Sequence, residues 1–71
     1  MSRLYSSKEI EAVLIRLGFR FISQKGSHVK YKNGEGRTII VPGDRKEIPA
    51  GTFKSILRQA GIDLAEYKKH A

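Results

Sequence analysis

Ser27-His28-Val29-Lys30-Tyr31-Lys32-Asn33-Gly34-Glu35-Gly36-Arg37-Thr38-Ile39-Ile40-Val41-Pro42-Gly43 is the stretch on which the fold turns. From Ser27 to Lys32 polar and apolar residues alternate, the period of a strand with one face buried. Val29 and Tyr31 point one way; His28, Lys30 and Lys32 point the other. Asn33-Gly34-Glu35-Gly36 is a hairpin signal, because Asn and Gly tolerate positive φ. Arg37 to Val41 then makes a further strand, stopped by Pro42-Gly43. Its inward set is either Ile39 with Val41 or Ile40, and each choice leaves aliphatic surface on the opposite side.

Working outward, Phe19 to Ser23 reads as a preceding strand, with Phe19 and Phe21 turned inward and Arg20, Ile22 and Gln24 turned outward. Lys25-Gly26 interrupts it. The short connections make the three strands an antiparallel meander. Upstream, Ser6-Ser7-Lys8-Glu9 has the form of a capping box, with Glu9 three residues after Ser6. Ile10, Val13, Leu14 and Leu17 then recur at helical spacing. Gly18 supplies a left-handed end, so a helix is predicted over 7–17. Downstream, a polar loop from Asp44 to Glu47 leads to Ile48-Pro49. Pro49 suits a first helical position, and Thr52 could cap a slightly later start. Phe53, Ile56, Leu57 and Ala60 form a second helical stripe closed by Gly61. Asp63 could cap one further short turn, with Tyr67 packing back. The order is α-β-β-β-α. Two helices with one apolar face each, laid on one side of a three-stranded antiparallel sheet, make a two-layer α+β fold. The other sheet face is left to water or to a partner.

A chain of 71 residues has room for one small domain, here 1–71, and such a domain buries only about 60% of its unfolded surface. The absence of cysteine excludes a disulfide framework and a thiolate zinc site. A composition of 39% hydrophobic and 30% charged residues argues against wholesale disorder. Apolar runs such as Ile39-Ile40-Val41 are too short to cross a bilayer, and Met1-Ser2-Arg3-Leu4-Tyr5 does not open a secretory signal. The expectation is a cytoplasmic protein with no membrane partner.

Charge narrows the partner. Fourteen Lys and Arg stand against seven Asp and Glu, a net +7. For a cytosolic domain this favours nucleic acid; the alternative is a solvated surface that aids solubility. The bases Arg20, Lys25, Lys30, Lys32 and Arg37 cluster in the strand region, where Glu35 is the one acid. His28 lies among them. An imidazole exchanges a proton near neutrality. It could take the proton of a ribose 2′-hydroxyl that attacks the adjacent phosphate, or protonate the leaving 5′-oxygen. Nearby cations would stabilise charge on the phosphoryl oxygens. The alternative for His28 is a phosphate contact or a plain surface residue.

Other chemistries fit less well. The carboxylates are dispersed, which disfavours a metal nuclease, and no cofactor is expected. Gly34-Glu35-Gly36 joins two strands and lacks the lysine-serine continuation of a phosphate loop. Tyr5, Phe19, Phe21, Tyr31, Phe53 and Tyr67 mostly fall on core stripes, which leaves little for base stacking. Ser27 and His28 are adjacent on a strand and point to opposite faces, so they form no hydrolase dyad.

Leu17-Gly18-Phe19, Gln24-Lys25-Gly26-Ser27-His28-Val29-Lys30-Tyr31, Val41-Pro42, Glu47-Ile48-Pro49-Ala50-Gly51-Thr52 and Ser55-Ile56-Leu57-Arg58-Gln59-Ala60-Gly61-Ile62 together resemble the signature of HicA toxins. The resemblance covers roughly 7–62. It implies a double-stranded-RNA-binding-domain-like fold and an mRNA interferase, the toxin half of a toxin–antitoxin pair neutralised by a HicB antitoxin. It also implies that the histidine of the Gly-Ser-His motif, here His28, is catalytic. Gly26 and Ser27 match the same motif and are read as support of local geometry.

The leading expectation is thus a metal-independent endoribonuclease acting on mRNA. His28 is its general acid/base, and Lys25, Lys30, Lys32, Arg37 and Arg20 bind RNA. An acidic HicB-like antitoxin is expected to cover the His28 face. The alternatives are a non-catalytic RNA-binding module using the same face, and an interaction protein whose charge meets an acidic partner.

Overall fold

Helix α1 spans Ser7–Arg16 and begins as its sequence dictates: the Ser6 hydroxyl accepts from the Glu9 amide while the Glu9 carboxylate accepts from the Ser6 amide. The structure, a computed structural model, describes residues 3–71; Met1 and Ser2, which begin the opening segment, lie outside them. After α1 come β1 (Arg20–Lys25), β2 (His28–Lys32), β3 (Thr38–Pro42), α2 (Ala50–Ala60) and α3 (Leu64–Lys69). The strands form one antiparallel sheet in the order β1-β2-β3. This is the α+β, double-stranded-RNA-binding-domain-like arrangement, with the last short turn drawn out into α3.

The inner face of the sheet and the helix stripes make the core. Ile10, Val13 and Leu14 of α1 meet Val29, Tyr31, Ile39 and Val41 of the sheet and Ile56, Leu57 and Ala60 of α2, all buried. Each such side chain contributes about 1.5–3 kcal/mol by leaving water. Strand β2 alternates as its sequence requires, with His28, Lys30 and Lys32 exposed and Val29 and Tyr31 buried. In β3 the alternatives resolve to Ile39 and Val41 inward, leaving Ile40 on the open face. Behind the helices Tyr5, Phe53 and Tyr67 pack ring against ring, with centroids 4.9–5.0 Å apart.

The structure corrects the reading along β1 and at the start of α2. The first strand is displaced to Arg20–Lys25, so that Phe19 is buried just ahead of it. Within it the register shifts between Phe21 and Ser23, a β-bulge that leaves Ile22 unpaired. The extra residue reverses the alternation beyond it: Gln24 now pairs with Val29 on the helix side, while Ser23 and Lys25 join the open face. Phe21 does share a face with its partner Tyr31, yet it is 56% exposed. The helices pack chiefly over β3, and their cover does not reach this edge of the sheet. Finally, Pro49 is the N-cap of α2 and Thr52 lies inside the helix, so no side chain caps that end. Among the described residues no helix is long and apolar enough to cross a membrane.

Candidate functional site

The open face is written by the strand register. Directly paired residues of an antiparallel sheet share a face, with Cβ atoms about 4.5–5.5 Å apart. His28 pairs with Lys25 on one side and Pro42 on the other; Lys30 with Ser23 and Ile40; Lys32 with Arg20 and Thr38. The bulge brings Lys25, and not Gln24, opposite His28. The result is a single exposed surface carrying His28, Lys25, Lys30, Lys32 and Arg20, with no carboxylate among these paired residues. Lys30 stands two positions along the strand from His28, roughly 6.5 Å away by strand geometry.

The tip that presents His28 is braced from three sides. Gly26 and Ser27 are the two-residue loop between β1 and β2, and Gly26 supplies the positive φ of 59° at its first position, where such loops favour glycine. The Gln24 side-chain amide donates to the Gly26 carbonyl at 3.0 Å. The Gly43 amide donates to the Ser27 carbonyl at 2.6 Å, which clamps the loop to the end of β3. Gly43 is buried, and a Cβ there would come within 3.2 Å of a Val29 methyl. Below Pro42, the Ser7 hydroxyl donates to the Pro42 carbonyl at 2.6 Å and accepts from the Arg45 amide at 2.9 Å. Ser7 is the one buried polar side chain among the described residues. Sequence reasoning treated it only as part of the capping segment.

Arg37 does not join the other cations. Its guanidinium donates to the Gln59 carbonyl at 3.2 Å, at the C-terminal end of α2, where a positive charge is favoured. Gly61 is favoured by its φ of 73°, and the Arg37 guanidinium lies over it, 2.6 Å from where a Cβ would stand. The Gln59 side-chain carbonyl accepts from the Ile40 amide at 3.0 Å, which satisfies one amide on the free edge of β3.

Chemically, the face can hold a polyanion by its four cations, with the imidazole of His28 among them to exchange a proton. Arg20 and Lys32, like charges directly opposed, weaken the sheet unless an anion lies across them. His28 is exposed and lines neither groove of the helix layer. Among the described residues no three His, Asp or Glu side chains gather as metal ligands. His70 sits at the end of α3, its Nδ1 3.1 Å from the Glu66 carbonyl oxygen.

A family model described as the HicA toxin of bacterial toxin-antitoxin matches residues 7–62, which include every residue of the open face. No curated protein matches the chain.

Proposed function

The chain belongs to the HicA toxin family of bacterial toxin–antitoxin systems, and on that premise we propose that it is a metal-independent endoribonuclease that cuts mRNA with His28 as general acid/base. As a toxin of such a pair it has a cognate antitoxin; the proposal adds that this is a HicB-like, acidic protein that covers the His28 face. The observation that carries the reading is the register pairing of Lys25 with His28 on an uncovered face that also bears Lys30, Lys32 and Arg20.

The chemistry follows from that placement. Lys30, Lys32 and Arg20 hold phosphates along the sheet and set the strand of RNA in place. His28 then either takes the 2′-hydroxyl proton, so that the 2′-oxygen bonds to phosphorus and the 5′-oxygen departs, or gives a proton to that departing oxygen. Lys25 offsets the charge gathering on the phosphoryl oxygens. With one imidazole on the face, the second proton transfer falls to water, to a lysine or to the substrate.

The test is incubation of the purified protein with a defined RNA, and with the matched all-deoxy strand, in EDTA. RNA is expected to be cut and the deoxy strand left whole. The second reading, RNA binding without cleavage, is favoured by the shallow setting of His28, which no side chain among the described residues holds in place. Salt-sensitive RNA binding with no products would establish it.

A further inference from the structure

We propose that the groove on the helix layer is a second docking surface, which takes an acidic segment of the antitoxin with an apolar side chain at its centre. This rests on membership of a toxin–antitoxin family, not on RNA cleavage. The groove, of about 580 Å³, lies between the N-terminal segment, α2 and α3. Its apolar part is made by Leu4, Tyr5, Phe53, Leu57 and Leu64. Leu4 and Leu64 are 37% and 44% exposed at its edge. Arg3, Lys54 and Lys68 line it, and among the described residues no carboxylate does. Arg3 is paired with Glu9, whereas Lys54 and Lys68 have no acidic partner among the described residues.

Charge decides the occupant. A second copy would press a chain of +7 against three cations, and the rings an RNA base could stack on, Tyr5 and Phe53, are already packed against each other and Tyr67. An acidic segment that buries one large apolar side chain satisfies both features, the apolar anchor in the groove and the carboxylates on its rim. The place of the groove matters too. The helices cover one side of the sheet and His28 stands on the other, so a partner seated here leaves His28 free. Arg3, Leu4, Tyr5, Leu64 and Lys68 also lie outside the family match at 7–62. A surface built largely from such residues is suited to selecting one antitoxin from among those of related pairs.

Calorimetric titration of the full chain with the antitoxin of its pair tests this, using the variant Lys54→Glu/Lys68→Glu and, separately, Leu64→Asp. All three positions are exposed, and a thermal melt confirms that each variant is folded. Affinity for the antitoxin is expected to fall at least tenfold in both, and Leu64→Asp, which changes the net charge by one, should leave RNA binding by the free protein unchanged. Unaltered antitoxin affinity overturns the proposal. So does a fall in RNA affinity in its place, or a wild-type dimer that these changes dissociate. Absence of RNA cleavage by the wild type would strike the proposed function alone, since the titration is read without it.

Discussion

The hydroxyl of Ser7 donates to the main-chain carbonyl of Pro42 over 2.6 Å, and Pro42 is the β3 residue paired with His28. The start of α1 is thereby fixed to the strand end beside the candidate catalytic group. Ser7→Ala removes at once the partner of the half-buried Pro42 carbonyl and of the Arg45 amide. It is expected to cost about 1–3 kcal/mol, measured by urea unfolding. Cleavage should fall as well, because the brace under the His28 tip is loosened.

Lys32 and Arg20 stand opposite each other as like charges. Lys32→Glu turns a repulsive pair into an attractive one and is expected to raise stability by about 0.2–1 kcal/mol. The same change should weaken RNA binding and make its salt dependence shallower by about one unit or more in log–log slope. A stability gain joined to an affinity loss marks a surface arranged for a ligand. Affinity that holds would remove Lys32 from the RNA path.

Burial pushes the Tyr67 phenol up to about 12 from its ordinary 10, and its hydroxyl is buried with no hydrogen-bond partner among the described residues. The folded state thus favours the protonated phenol. Its contribution is fully present below pH 10 and is lost as pH rises through about 12. Alkaline unfolding followed by tyrosinate absorbance should show Tyr67 ionising together with unfolding. Tyr67→Phe should be at least as stable at pH 7, with a smaller loss over that alkaline window.

At the acid end, the Ser6 amide, with the Arg3 guanidinium also contributing, holds the Glu9 carboxyl below its ordinary 4.5. A lowered value means that the contribution is present above the unfolded pKa and is lost as pH falls through the folded one. Glu9→Gln keeps a hydrogen-bonding group at that position of the capping box. It should flatten the decline in melting temperature below pH 4.5.

Much of the fold was legible because its signals are local. Ile10, Val13 and Leu14 mark α1, and Val29 and Tyr31 decide which way β2 faces. Gly61, with a φ of 73°, ends α2. What escaped is non-local. Arg20-Phe21-Ile22-Ser23-Gln24-Lys25 carries no Gly, Pro or Asn to announce a bulge, so simple alternation placed Gln24 where Lys25 stands. Phe21 points as its spacing implies, but its exposure depends on how far the helices extend across the sheet. Ser7 looked like part of a cap, since its true partners lie 35 and 38 positions away. Arg37 read as one more basic residue of the strands because nothing local reveals the end of α2 beside it. The cluster around His28 was legible in outline, and the pairing of His28 with Lys25 needed the structure.

The central claim is that His28 does chemistry on an RNA held by the cations around it. Its most direct test is RNA cleavage in EDTA by wild type and His28→Ala, with thermal melts and RNA affinities measured on the same samples. The account predicts that His28→Ala stays folded and still binds RNA while its cleavage falls to background. Cleavage by His28→Ala at the wild-type rate would contradict it.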